Sequence, residues 1–474
     1  MPHLIHRAYP PLEFIPQRFN PIVYYIARGL LPLLLRLRVR SWLPAGIGEI
    51  ETVNLDVLFN LYQEFQDGKI RFLMAFRHPE VDDPLCMMYL FSHAVSKAAQ
   101  SQNISLKYPI HSHFLYDRGM TLWAGDWLGW LFSYLGGVSI HRGKRLDLIG
   151  LRTARDLFAN GKLPIMVAPE GATNGHSEIV SPLEPGVAQL GFWCVEDLVK
   201  ANRAEDVLIV PIGIQYRYIN PNWAKLDWLL GKLERDCGLP VGKSHLVEEK
   251  EVLYERLLRL GEHIISEMEW FYSRFCHQKL PDTNISVTDS SANRNQLLKA
   301  RLDALLNTGL KTAEVYFGLP SQGTVIDRCR QLEEASWKDI YQKDLSDLHS
   351  ISPLKQGLAD WIAAEASLRM LHMRLVESFV AVTGSYVQEK PTFERFAETS
   401  LILFDLIARI KGKKNPKRPR LGWRKARVTV GKPISVTQRW LVYQENRQSA
   451  RQSVKDLTAD LQLALEEMIL SFEF

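Results

Sequence analysis

Between Ile70 and Tyr218 short β-type runs alternate with helical patterns, and this alternation restricts the fold more than any other feature of the chain. It is the signature of an α/β sheet covered by helices. The strand candidates are 70–76, 110–116, 138–140, 163–167 and 207–218. Between them 84–100 and 147–160 carry apolar residues at helical spacing, and Gly161 follows the second as a stop signal. The segment 120–136 (MTLWAGDWLGWLFSYLG) reads as an aromatic-rich helix, suited to a core, to the mouth of an apolar tunnel or to a membrane-contacting surface.

After Asn220 the pattern changes to helical periods over nearly two hundred residues, with expected helices at 249–275, 293–317, 322–341, 352–387 and 392–411. β character returns at 426–436 (ARVTVGKPISV), before a final helix expected at 454–470. A lone strand is not stable, so this one is expected to rejoin the first sheet. The predicted class is therefore α/β, a mixed sheet covered by helices, with a large all-helical insertion and a return strand. The corresponding divisions are an N-terminal segment 1–45, an α/β domain 46–219, the insertion 220–410, a basic loop 411–427, and a return strand with C-terminal helix 428–474.

With 46% apolar and 23% charged residues, the composition is that of a globular protein rather than a disordered or polytopic one. Five cysteines, widely separated and without a C-x-x-C pair, point to neither a disulfide framework nor a zinc site, and fit a reducing compartment. The net charge of +5 is concentrated in 409–427, where ten Lys and Arg occur without an acid. Its Gly and Pro content predicts a loop, either solvated or lying against anionic membrane. No aromatic-interleaved sheet motif accompanies it, so nucleic acid is not an expected partner. No secretory signal is legible at the start. The apolar run 21–37 is interrupted by Arg28 and Pro32 and falls short of the roughly 20 apolar residues of a spanning helix. It is expected to lie in a membrane interface, or else to pack on the protein's own core.

Chemistry concentrates first at 76–84 (FRHPEVDDP), where a strand ends and a helix begins. On a continuous helix the five-residue spacing of His78 and Asp83 would place them about 140° apart, but Pro79 and Pro84 make such a helix unfavourable. A turn can instead return the carboxylate to one imidazole nitrogen and leave the other for a hydroxyl, the arrangement of a general base with its orienting acid. Asp83, directly before Pro84, also suits a helix N-cap. Glu80 and Asp82 beside them do not complete a metal site, and none is expected. Cys86 and Cys194 fall within predicted helices without a partner base, which disfavours a covalent thiol mechanism.

Further along, Gly136-Gly137-Val138-Ser139-Ile140-His141-Arg142, then Ala168-Pro169-Glu170-Gly171-Ala172-Thr173-Asn174, then Val210-Pro211-Ile212 follow at strand ends. With the H-x4-D pair His78 and Asp83, these four blocks in order resemble the glycerolipid acyltransferase family, which acylates glycerol-3-phosphate and lysophosphatidic acid. The resemblance covers about 70–218, and 428–434 looks like the family's closing strand. Ser139 replaces the usual aromatic, His141 the usual acid or amide, and the arginine after the P-E-G core is missing.

The resemblance implies an O-acyltransferase that carries a fatty acyl group from an acyl-CoA or acyl carrier protein thioester, with no further cofactor. The expected acceptor is 1-acylglycerol-3-phosphate, giving phosphatidic acid. Glycerol-3-phosphate or another lysophospholipid is the alternative, and a non-catalytic membrane scaffold is the rival from a different class. His78 and Asp83 are the expected catalytic pair. Arg142, whose planar fork suits phosphate, is the expected acceptor-binding residue, with Lys144, Glu170, Gly171 and Thr173 beside it. Pro211, Trp127 and Trp130 are the candidates for an acyl pocket. The expected location is the cytoplasmic side of a membrane, peripheral or monotopic.

Overall fold

A computed structural model describes residues 5–38, 46–141, 147–242, 250–280, 291–345, 351–377, 385–413 and 416–470. The strands are β1 (Ile47–Val53), β2 (Ile70–Phe76), β3 (His113–Asp117), β4 (Gly137–Ile140), β5 (Ile165–Val167), β6 (Asp206–Tyr218), β7 (Arg424–Val430) and β8 (Ile434–Ser435). They form one mixed sheet in the order β1-β7-β6-β2-β5-β3-β4, with β8 added beside β6. β6, β2, β5, β3 and β4 run parallel, while β7 is antiparallel to β6 and parallel to β1.

β2 shows why the centre of this sheet holds. All seven of its residues are buried, as a strand covered on both faces requires. Phe72, Met74 and Phe76 point to one core, shared with Tyr24, Leu31, Tyr62 and Phe91 of the helical stretches before and after β2. Leu73 and Ala75 point to the opposite core, shared with Phe158, Phe192 and Leu461. The helices Leu148–Asn160, Gly186–Lys200 and Arg447–Leu470 supply that second layer.

The return strand rejoins the sheet, and it starts earlier than the sequence reading places it. Arg424, Lys425 and Arg427, counted there in a basic loop, belong to β7. Lys425 pairs with Glu49 at 2.9 Å and Glu51 at 3.2 Å across to β1. These charges also explain why β1 (IGEIETV) is not among the expected strands: its acids disguise the alternation, and their cationic partners lie far along the chain. Tyr218 at the end of β6 pairs with Arg424 at the start of β7, so the helical insertion leaves and returns at the same rung of one antiparallel pair.

Helix Pro21–Arg36 begins at Asn20, whose side chain accepts from Ile22 N at 2.8 Å. Tyr24, Leu31 and Leu35 are buried, while Ile22, Ile26, Leu30, Leu33 and Leu37 are exposed. One face therefore packs on the core and the other is an uncovered apolar stripe. The segment 120–136 is two helices rather than one, Met120–Ala124 and Asp126–Tyr134, because Gly125 adopts φ +100° between them.

The insertion forms a compact unit of its own, comprising the described residues of 220–422 together with 5–13. Its principal helices are Trp223–Asp236, Lys250–Phe275, Ser291–Phe317, Val325–Ile340, Pro353–Glu377 and Phe393–Ile410. The expected helix 352–387 becomes Pro353–Glu377 and Tyr386–Glu389, with 378–384 outside the described residues. The segment treated as one N-terminal piece also divides. Ala8 N donates to Asp360 at 2.8 Å and Tyr9 bridges to Tyr341 within the helical unit, whereas Phe14 onward belongs to the α/β unit. Among the described residues no helix is long and apolar enough to cross a membrane.

Candidate active site

Because the central strands are parallel, their C-terminal ends fall on one edge of the sheet, the edge where open α/β sheets take their ligands. Arg77 and His78 follow β2, Arg118 follows β3, His141 follows β4 and Glu170 follows β5. The blocks, scattered along the sequence, thus meet at one rim.

His78 Nδ1 lies 2.9 Å from Asp83 Oδ2. The same oxygen accepts the backbone N–H of Glu80 at 2.9 Å, and Oδ1 accepts the phenol of Tyr216 at 2.5 Å. With an ionised carboxylate as acceptor, Nδ1 carries the proton and Nε2 carries the lone pair. Nε2 has no hydrogen-bond partner among the described residues, and the ring is 21% exposed while Asp83 is fully buried. Burial pushes the Asp83 carboxyl above its usual value, against the lowering effect of the hydrogen bonds from His78, Tyr216 and Glu80. Burial likewise pushes the Tyr216 phenol well up, keeping it a donor.

Asp83 is not the N-cap. Asp82 stands at the N-cap position of helix Asp83–Tyr89 without a side-chain cap bond, and Asp83 occupies the first turn with its carboxylate committed to His78, Glu80 and Tyr216. Asp82 in turn accepts from Arg424 of β7. Arg424 is buried over the Tyr216 ring at 4.8 Å. Burial lowers its pKa, but Asp82, Glu80 and two tyrosines outweigh that, and the guanidinium is held well above its usual range. The acids flanking the dyad therefore answer to a cation from the far side of the insertion.

Glu170 is buried and turned inward. Oε1 accepts His78 N at 2.8 Å; Oε2 accepts Ser181 N at 2.9 Å and Asn174 Nδ2 at 3.0 Å. Arg77, wholly buried, stands 3.7 Å from Glu170 and donates to the carbonyls of His176 at 3.1 Å and Ser177 at 2.6 Å. The loop 170–181 is thereby closed around the residue that precedes His78. Gly171 makes the turn at φ +73°, where a side chain would be strained, and Thr173 is half-buried in the same loop. This carboxylate fixes the backbone of the dyad instead of facing an open acceptor site.

Arg142 and Lys144 lie outside the described residues. On either side of them, His141 N donates to Asp147 at 2.9 Å, and Asp147 also pairs with the buried Arg118 at 2.5 Å. Pro211 is buried in β6 opposite Ala75, and its carbonyl accepts Gly431 N at 2.8 Å. Trp127 and Trp130 are 44% and 56% exposed on helix Asp126–Tyr134, which packs by β4. β6 and β4 are separated by β2, β5 and β3, roughly 19 Å at the usual strand spacing. The three do not form one pocket: Pro211 is a sheet residue, and the tryptophans face outward.

Arg77, Asn174, Tyr216 and Arg424 escaped the sequence reading. For Arg77 the signal was adjacency to His78. Arg424 was hidden in a run of cations, and no sequence spacing links Tyr216 to Asp83. Cys86, in contact with Tyr216 at 3.4 Å, is fully buried, and burial pushes its thiol far up, which removes it as a nucleophile.

A histidine oriented by a buried acid at the ligand edge of an α/β sheet has the geometry of a general base. Residues 59–215 match the Acyltransferase family model, and this region is consistent with the glycerolipid acyltransferase family. The protein is an acyltransferase acting on glycerolipid-type substrates. The match runs from helix Leu55–Gln66 into β6, spanning the parallel core and not the helical insertion. No curated protein matches the chain.

Proposed function

We propose that the protein transfers a fatty acyl group from an acyl-CoA or acyl carrier protein thioester to the free hydroxyl of 1-acylglycerol-3-phosphate, yielding phosphatidic acid. The observation that carries the reading is the His78–Asp83 pair at 2.9 Å, with Nε2 unpartnered among the described residues and the side chain 21% exposed. Nε2 takes the acceptor hydroxyl's proton as its oxygen attacks the thioester carbonyl. The tetrahedral intermediate then collapses, breaking the C–S bond, and the departing thiolate recovers the proton from Nε2. Asp83 stabilises the imidazolium between these events without leaving its hydrogen bonds to Tyr216 and Glu80. Arg142 and Lys144, by their place after β4, supply cations for the acceptor's phosphate.

The acceptor is an amphiphile, and the exposed stripe Ile22, Ile26, Leu30, Leu33 and Leu37 supports delivery from a lipid surface. Asn20 N bonds to Tyr134 O at 2.9 Å, which joins the start of that helix to the end of the helix bearing Trp127 and Trp130. Exposed tryptophans beside an apolar stripe suit the interface of a peripheral or monotopic protein. The double variant Ile26→Glu, Leu30→Glu is expected to lower cosedimentation with anionic liposomes while sparing transfer to detergent-dispersed acceptor. Unchanged sedimentation would remove this helix from the membrane reading.

The test of the reaction is acyl transfer by purified protein from acyl-CoA and acyl carrier protein thioesters to 1-acylglycerol-3-phosphate, glycerol-3-phosphate and other lysophospholipids, with His78→Ala in parallel. Phosphatidic acid formed by wild type and not by the variant supports the proposal. Preferential acylation of glycerol-3-phosphate or of a lysophospholipid with a larger headgroup would reassign the acceptor.

A further inference from the structure

Glu80, Asp82 and Asp83 stand within four consecutive residues, and all three are buried. Carboxylates this close in a low-dielectric setting each raise the proton affinity of the others and of an imidazole beside them. Left uncompensated, the turn would keep His78 protonated and deny it the lone pair that a general base needs. The dyad therefore requires a cation on its flanking acids.

Arg424 supplies it. Its Nη2 donates to Asp82 Oδ2, its Nη1 stands 3.9 Å from Glu80 Oε1, and its Cζ lies 4.8 Å from the centre of the Tyr216 ring. Tyr216 and Glu80 are the residues whose phenol and backbone N–H hold Asp83, at 2.5 and 2.9 Å. Arg424 thus stands one residue behind both of those bonds. Along the same sheet edge Arg77 is engaged with Glu170 at 3.7 Å and Arg118 with Asp147 at 2.5 Å, and Cys86, against Tyr216, is held by burial as a neutral thiol. Packing does not account for the residue. The buried positions of β7 are Arg424, Ala426, Val428 and Val430, an apolar series broken by a charge at the end next to Asp82. A buried ion pair seldom stabilises more than apolar side chains of similar volume, so a cation at this position points to a use beyond stability.

We propose that Arg424 is a positioning residue for the His78–Asp83 pair: it holds Glu80 and Asp82 and offsets their charge, which leaves the imidazole unprotonated and able to take the acceptor's proton. The residue lies outside the matched region 59–215, in the strand that follows the insertion. The inference rests on the reading of His78 as the general base and is independent of which hydroxyl is acylated.

The experiment reads the pair without turnover, by NMR titration of the full-length chain labelled at histidine, with the His78 signal assigned by its loss in His78→Ala. Its midpoint reports the coupled His78–Asp83 titration. Arg424→Gln should raise that midpoint by roughly half a pH unit to one unit. Asp82→Asn, which removes a negative charge and keeps the cation, should lower it by a similar amount. The double variant exchanges the ion pair for a pair of amides and should return the midpoint close to that of wild type. The base must be unprotonated, so activity is present above the midpoint and lost below it. The acid limb of kcat/KM should therefore move to higher pH in Arg424→Gln, to lower pH in Asp82→Asn, and back in the double variant. Shifts of opposite sign that cancel are not expected of an arginine that serves packing alone, which would change the thermal midpoint only. An unmoved His78 midpoint in a folded Arg424→Gln chain would overturn the proposal. Should that variant fail to fold, equal midpoints in Asp82→Asn and the double variant overturn it instead. Transfer that survives His78→Ala would sink the base reading, whereas transfer lost in His78→Ala with the midpoints unmoved would sink the role of Arg424 alone.

Discussion

In the helical unit Glu234 is fully buried between Arg256, at 2.9 Å, and Arg259, at 2.6 Å, and accepts Gly242 N at 3.1 Å as well. In the α/β unit Asp83 is equally buried and accepts three hydrogen bonds, but from groups of another kind: a histidine, a phenol and a backbone amide. Burial raises the pKa of Glu234, but the permanent charges of Arg256 and Arg259 outweigh it and hold the carboxyl below its usual value. Around Asp83 burial prevails and the pKa rises. The first arrangement neutralises a buried charge within the protein. The second keeps a proton-handling group in reach of solvent, since the far nitrogen of His78 is left for something outside the chain. A buried carboxylate is thus evidence of function only when its partners can exchange a proton.

Substitutions should separate these two uses of a buried acid. The largest effect is expected from His78→Ala, with transfer falling by roughly 10²–10⁴-fold and the chain still folded, because the ring is partly exposed and the buried Asp83 keeps its bonds from Tyr216 and Glu80 N. A residual rate within about threefold of wild type would exclude it as the base. Glu234→Ala should do the reverse: it removes one of the two carboxylates that pair with the buried Arg256, leaving Asp227, and is expected to cost about 1–3 kcal/mol in denaturant unfolding, with the rate per folded molecule preserved. Comparable loss of rate would mean that the helical unit takes part in the chemistry.

Glu170→Gln tests the boundary between the two behaviours. It weakens the cradle of Arg77 and the acceptor of His78 N, so both stability and kcat should fall, stability by about 1–3 kcal/mol. A fall in acceptor affinity with stability and kcat intact would make Glu170 a substrate ligand instead. The smallest effect is expected from Tyr216→Phe. Transfer requires Asp83 ionised, so activity is full above its raised pKa and declines as pH falls through it, beginning at higher pH than for an exposed aspartate. Removing the phenol removes a lowering influence, so the acid limb of kcat/KM should move to still higher pH. An unmoved limb would place Tyr216 in packing alone.

Much of this site was legible because parallel strands bring their C-terminal ends to one edge, so blocks at strand ends in the sequence become neighbours in space. His78, Asp83 and Glu170 were found that way, although the spacing alone left Asp83 open to an N-cap role, and the structure puts Asp82 at that position. Partners from distant strands were not legible. Tyr216 and Arg424 lie 133 and 342 residues from the aspartates they contact, and Arg424 read as one more cation in a solvated loop.

Local pattern determined β2 from end to end, four of the five expected helices of the insertion to within a few residues, and the histidine–aspartate pair, since hydrophobic period and turn chemistry act over a few residues. Tertiary structure alone decided where each charge goes. It turned Glu170 inward onto Arg77, brought Arg424 beneath Asp82, set Trp127 and Trp130 outward, and left a void between three leucine-lined helices. The physical reason is that burial and ion pairing are set by groups packed together from distant parts of the chain, and no local period encodes their meeting.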